Sequence, residues 1–245
     1  MDAHIARPIS TYKGVSENHC VRASRGFRAL VPAPAWSQLV QHGVRASHTA
    51  QERLLHQGDS GGWVLLCVSG RLKVVYAEPD GRELLIAVRG PGDVIGEFSG
   101  SDGHPRSATV AAIEPGITSK LSARRFTDLV RRLGLERHLN SYILGKVRES
   151  AAHAWQLAHL TTAARLADLV ATLVEAAGPD HPTPTTIAMS QEELASALGL
   201  VRSAVTPVLA RWKASGLVRI TRGRLEVLDL AALAGSVSSS GQNRP

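Results

Sequence analysis

Cysteine is scarce: Cys20 and Cys67 are the only two thiols in 245 residues, one in a polar N-terminal stretch and one in an apolar run. A disulfide framework is excluded, as is a four-cysteine zinc or iron–sulfur centre supplied by one chain. Long apolar runs are missing as well. The longest, such as residues 63–68, fall far short of the roughly 18–20 residues that span a bilayer. The opening MDAHIARPIS lacks the basic region and apolar stretch of a secretory signal. No His-X-His pair occurs, and His42, His48 and His56 are too widely spaced for a cupin-type metal site. Ser/His/Asp and P-loop patterns are absent too. These absences predict a soluble, cytoplasmic protein that is no enzyme, with no catalytic residue, no metal site and no membrane partner.

What is present is ordinary globular material, 44% apolar and 20% charged, in a length that suits two small domains. The net charge is +7 and the pI about 10, a balance that favours polyanionic partners. Its location says more than its size. Residues 189–224 hold six basic side chains against two acidic ones, so more than half of the excess lies in one C-terminal stretch.

The pattern changes along the chain. Residues 1–30 show no apolar period and read as a flexible arm. From residue 58 to 121, glycines at 58, 70, 81 and 92 punctuate β-type runs, the texture of a sandwich or barrel. The dipeptide Gly58-Asp59 returns as Gly92-Asp93, marking two equivalent corners of a roll, and residues 78–81 read as a hairpin turn. After Ser122, a good N-cap, the period turns helical. A long helix at 135–160 carries one narrow apolar stripe: Leu139, Ile143, Val147, Ala151, Trp155 and Ala158. Such a stripe must bury itself on the barrel or on a second copy, and its narrowness points to a homodimer. The expected organisation is an arm (1–30), a β-roll (31–133), a dimerisation helix (134–160), a DNA-binding domain (161–235) and a disordered tail (236–245).

Ser190-Gln191-Glu192-Glu193 fits a capping box, in which the serine caps the first turn and Glu193 reaches back. Leu194, Ala195 and Leu198 then face a core, Gly199 turns the chain, and Val205, Val208, Leu209 and Trp212 line a second helix. Residues 216–228 form a hairpin with a basic tip. Two helices, a glycine turn and a basic wing make a winged helix-turn-helix, whose second helix suits the major groove of double-stranded DNA. The candidate DNA contacts are Ser190, Gln191, Val201, Arg202, Ser203, Thr206 and Arg211, with Arg222 and Arg224 at the wing. Pro207 falls where the second helix should run, so either that helix starts late or its first turn is irregular.

A last motif lies in the β-region: Gly96-Glu97-Phe98, then Pro105-Arg106-Ser107-Ala108-Thr109 nine residues after the glutamate. Gly96 permits close backbone approach, Glu97 can accept from a ribose hydroxyl, and Arg106 with Ser107 can hold an anionic phosphate. This resembles the phosphate-binding cassette of cyclic-nucleotide-binding domains. Together with the winged helix, residues 30–230 resemble the CRP/FNR family of bacterial transcription regulators. The resemblance implies an α+β architecture: a cyclic-nucleotide-binding jelly roll, a long dimerisation helix and a winged helix-turn-helix. It implies that Glu97 binds a ribose 2′-hydroxyl and that Arg106 and Ser107 bind a cyclic phosphate. It sets Ser150 and Ala151 where the long helix would meet a purine, Ala151 lacking the hydroxyl that nucleotide binders often carry. No obligatory cofactor is implied; cAMP or another cyclic nucleotide is the expected allosteric effector, a palindromic operator and RNA polymerase the expected partners. The alternative is a degenerate roll that serves only dimerisation or takes another effector. The relatives that sense oxygen need N-terminal cysteines missing here, whereas haem sensing is left open by ten histidines without diagnostic spacing.

Overall fold

A computed structural model describes residues 25–78 and 83–238. Cys20, the arm up to residue 24, the expected turn at 79–81 and the tail from residue 239 lie outside the described residues. The chain enters through a 3-10 turn, Phe27–Ala29, and helix α1, Ala33–Gln41. Phe27 is fully buried, its ring 5.6 Å from that of Tyr142. The last residues of the expected arm, 25–30, are therefore packed down by Phe27, a single apolar anchor without periodicity to announce it.

Eight strands follow. They are β1 Val44–His48, β2 Arg53–Leu55, β3 Trp63–Ser69, β4 Leu72–Ala77, β5 Glu83–Arg89, β6 Val94–Ile95, β7 Thr109–Ala112 and β8 Gly116–Ser122. Helix α2, Glu97–Asp102, interrupts them between β6 and β7. They pair into two four-stranded antiparallel sheets, β1-β8-β3-β6 and β2-β7-β4-β5, the roll that the glycine spacing predicts. The two Gly-Asp corners share a backbone device: Gly58 and Gly92 have φ of 85° and 98°, a region that side chains disfavour. Between the sheets lie Leu55, Leu65, Cys67, Leu72, Ile95 and Val110. Burial pushes the Cys67 thiol well above its ordinary range, so it is an inert core residue.

Ser122 caps helix α3, Ala123–Arg132, by accepting the Arg125 N–H at 3.2 Å. Gly134 then breaks the chain ahead of α4, Glu136–His159, and Thr161 caps α5, Thr162–Ala176. Only Tyr142 and Lys146 of α4 are buried. Of the apolar stripe, Leu139 and Ile143 are half-buried while Ala151 and Ala158 are exposed; Val147 and Trp155 stand 56% and 52% exposed. The core of the roll reaches Leu139 and leaves Val147, Ala151, Trp155 and Ala158 uncovered.

The C-terminal part comprises β9 Thr186–Ile187, α6 Gln191–Ala197, α7 Arg202–Ala214, β10 Val218–Thr221, β11 Arg224–Val227 and α8 Leu230–Ser238. Helix α8 thus extends into residues that the sequence assigns to the tail. The three short strands form one sheet, β10-β11-β9. This part shares its core with the roll: Val75, Leu85, Val88 and Ile113 belong to the same buried cluster as Leu166, Leu173, Leu194 and Leu209. At the joint Arg71 is wholly buried and binds Glu114 through Nε (2.8 Å) and Nη2 (2.6 Å). The same guanidinium donates to the carbonyls of Leu173 (3.1 Å), Pro184 (3.4 Å) and Thr186 (2.5 Å). His181 adds a contact to Glu114 Oε1 at 3.1 Å.

Candidate effector cavity and nucleic-acid interface

Strand β6 delivers the chain to Gly96, whose φ of 85° starts α2; a Cβ there would run into the Arg106 guanidinium. Arg106 is buried. Its Nη1 donates to Gly96 O (2.8 Å) and Ser99 Oγ (2.7 Å), and its Nη2 to Trp63 O (2.5 Å). It braces the loop through these three acceptors, and not through Glu97, while its Nε bonds to none of the described residues. Loss of hydration lowers its pKa, an effect that nearby Glu97 and Asp59 oppose.

Glu97 is 2% exposed and accepts from Lys146 Nζ at 2.6 Å. Lys146 comes from α4, also donates to Val94 O at 2.7 Å, and sits 5.8 Å from the ring of Phe98. Burial pulls its pKa down, while Glu97 holds it up. A second ion pair flanks the first: Arg89 Nη1, at the end of β5, donates to Glu149 Oε1 of α4 at 2.8 Å. Between these features lies a cavity of about 340 Å³. Gly96, Glu97, Phe98, Arg106, Ser107 and Ser150 all line it. Ala151 does not; it is exposed on the neighbouring face of α4. Sequence reasoning missed Lys146 and Arg89. A signal for Lys146 existed, because it stands four residues before Ser150 and so shares its helical face.

In the C-terminal part the capping box is fully formed. Ser190 Oγ accepts the Glu193 N–H at 3.2 Å, and the Ser190 N–H reaches Glu193 Oε2 at 2.7 Å. Glu193 also accepts from Gln51 of the roll, at 2.5 Å. Gly199, with φ of 65°, turns the chain, and α6 and α7 meet at 117°. Helix α7 begins at Arg202 and runs unbroken through Pro207, so neither a late start nor a broken first turn occurs. Pro207 and Ser203 are both exposed, which lets water reach the carbonyl that proline cannot bond. Thr206 Oγ1 adds a bond to Arg202 O at 2.9 Å.

Val205, Val208, Leu209 and Trp212 face the core, while Val201, Arg202, Ser203, Thr206 and Arg211 face solvent. Ser190 and Gln191 are half-buried at the start of α6. At the wing, Arg219 pairs with Glu226 across the hairpin at 2.7 Å. Arg222 and Arg224 at the tip are exposed and have no ion pair among the described residues. The exposed residues of α7 and of the hairpin tip are thus open to solvent, while the first turn of α6 rests against Gln51 of the roll. Among the described residues no single helix is long and apolar enough to cross a bilayer.

Comparison with known proteins gives two family matches: a cyclic nucleotide-binding domain over residues 45–133 and a Crp-like helix-turn-helix domain over residues 164–235. The cyclic AMP receptor protein of Thermus thermophilus is 30% identical over 182 residues, covering 74% of this chain and 82% of that protein. The cAMP-activated global transcriptional regulator Vfr of Pseudomonas aeruginosa is 26% identical, over 75% of this chain and 88% of the regulator. Among solved structures, a CRP-family transcriptional regulator from Thermus thermophilus superposes with a TM-score of 0.61 at 25% identity, covering 78% of this chain and 97% of that one. These relatives are transcription regulators, not enzymes.

Proposed function

This chain belongs to the CRP/FNR family of bacterial transcription regulators, with a cyclic nucleotide-binding domain and a DNA-binding helix-turn-helix; on that premise we propose that it is a homodimeric, cytoplasmic regulator whose roll binds a cyclic nucleotide and thereby sets its affinity for DNA. The observation that carries this reading is the cavity in which Glu97, Arg106 and Ser107 meet Lys146 and Ser150 of α4. Three cations, Arg89, Arg106 and Lys146, stand against two carboxylates, Glu97 and Glu149. Asp59 and Asp93 also act on these cations, so what suits a monoanion such as a cyclic phosphodiester is the donor set of Arg106 and Ser107 and not a net excess of charge. The Thermus and Pseudomonas relatives are named for cAMP, which makes it the first ligand to try.

Glu97 would trade its lysine contact for a ribose hydroxyl, and Arg106 and Ser107 would hold the phosphate. Because Lys146 and Glu149 lie on α4, ligand entry acts on the helix that leads toward the DNA-binding part. The exposed stripe of α4 supports pairing with a second copy. A two-fold dimer would read a palindrome with one α7 per half-site, Arg202 at a base edge and Arg222 and Arg224 on phosphates. RNA polymerase is the partner expected of such a regulator.

One observation favours the second reading, a roll without a ligand: Lys146 already neutralises Glu97, and three carbonyl or hydroxyl oxygens already hold Arg106. Thermal unfolding with and without cAMP and cGMP separates the two. A ligand that binds only the native state stabilises it by about 2.7 kcal/mol at a hundred times its Kd, so the melting temperature rises by several degrees. Unchanged melting with both nucleotides would leave the roll as a dimerisation module.

A further inference from the structure

We propose that Arg89 reads the base of the effector and selects a 6-oxopurine, the guanine type, over adenine; this rests on the reading of the cavity as a cyclic-nucleotide site. Arg89 is 7% exposed and lines two adjoining cavities, the one between the cassette and α4 and a second bounded by Tyr142 and Glu149. Its Nη1 is spent twice, on Val88 O at 3.0 Å and Glu149 Oε1 at 2.8 Å. Its Nε and Nη2 make no hydrogen bond to any described residue. These two N–H groups lie parallel along one edge of the guanidinium, the edge that binds paired acceptors bidentately.

The cassette occupies one end of the cavity with groups suited to phosphate and ribose. The base is thereby left to the other end, where Ile86, Ala87 and Val147 offer apolar walls. Outside the cassette the polar side chains of the lining are Arg89, Lys146 and Ser150, and Lys146 is already committed to Glu97 and Val94 O. A guanidinium only donates. Guanine presents two acceptors on one edge, O6 and N7, at the spacing of the Nε–Nη2 pair. Adenine replaces O6 by an amino group, which would set donor against donor. Glu149 keeps Arg89 charged and in place while the other edge binds, so no proton need move. Neither nitrogen of that edge is sealed off from the cavities that Arg89 lines, so the paired acceptors of a ligand can meet these donors in place of water. Arg71, beside the same sheet, shows that this chain satisfies a buried arginine fully where no ligand is involved.

Calorimetry on the full-length protein tests this with cAMP, cGMP, cIMP and 7-deaza-cGMP, the last lacking the N7 acceptor. The wild type should bind cGMP and cIMP about tenfold or more tightly than cAMP, and 7-deaza-cGMP more weakly than cGMP. In Arg89→Leu the preference should vanish, with cGMP and cIMP falling to the level of cAMP and cAMP itself changing by less than about threefold. A wild type that prefers cAMP, or a cGMP-to-cAMP ratio that survives Arg89→Leu, overturns the inference and leaves the cyclic-nucleotide reading intact. No heat with any of the four overturns both. If Arg89→Leu fails to fold, the four wild-type affinities decide alone.

Discussion

Arg71 and Arg89 flank the same end of the β4–β5 ladder, where Leu72 pairs with Arg89, and both are withdrawn from water. Their surroundings differ. Arg71 faces the joint with the DNA-binding part, and its guanidinium meets both Glu114 oxygens and three backbone carbonyls. Arg89 lines cavities with one nitrogen committed and, among the described residues, no partner on its Nε–Nη2 edge. A buried cation whose donors are all satisfied by its own chain holds parts together; one with donors left over beside a cavity is equipped for something that arrives later. The joint and the cavity are thus two uses of the same residue type, one step apart on one sheet.

The comparison breaks first if the joint is not structural. Arg71→Met strands Glu114 in the interior, and denaturant titration should show a loss of about 3–5 kcal/mol. Arg89→Leu should cost much less, because its partner Glu149 is 44% exposed and can be hydrated. Equal losses would make Arg89 a second joint residue. Next in size is the part of the α4 stripe from Val147 onward, which neither region covers. Val147→Asp, placed in a dimer seam, should weaken association by about 3 kcal/mol through an unpaired buried charge. Light scattering that finds this variant still dimeric at micromolar concentration would move the seam elsewhere.

Within the cavity, Arg106→Ala should lower effector affinity by about 1.5–3 kcal/mol, ten- to a hundredfold, as calorimetry would show. On the DNA side, Arg202→Ala should relax one base pair of the selected motif at about 1–3 kcal/mol, whereas Arg222→Ala should weaken all sequences alike and reduce the salt slope by about one per half-site. A selection in which Arg202→Ala recovers the unchanged motif makes Arg202 a phosphate contact.

The smallest effect concerns His48, which is buried with neither ring nitrogen partnered among the described residues. Burial lowers its pKa. The fold therefore favours the neutral ring, and stability contributed by that ring falls as pH drops below about 6.5, where the unfolded chain takes up the proton. The melting temperature of wild type should fall more steeply from pH 7.5 to 5.5 than that of His48→Leu.

How much of this was legible in the sequence follows from sequence distance. The DNA-binding surface rests on local signals: the capping box spans four residues, Gly199 and Gly223 mark single turns, and the core face of α7 repeats at helical spacing. The cassette is local too, which is why Glu97, Arg106 and Ser107 could be named from their spacing. Lys146–Glu97, Arg89–Glu149 and Arg71–Glu114 join residues 49, 60 and 43 positions apart, and no periodic pattern links the members. Pro207 misled because helix rules weigh the local cost of proline, while the buried face of Val205, Val208, Leu209 and Trp212 holds α7 in place and offsets it.

The central claim is that filling the cavity changes what the helix-turn-helix does. Fluorescence anisotropy on a palindrome recovered by selection from random DNA, with half-sites about 34 Å apart, measures this directly. With the cyclic nucleotide that calorimetry detects present at saturation, the account predicts a shift in operator affinity of about tenfold or more relative to the unliganded protein. Identical affinity with the cavity empty and filled would contradict it.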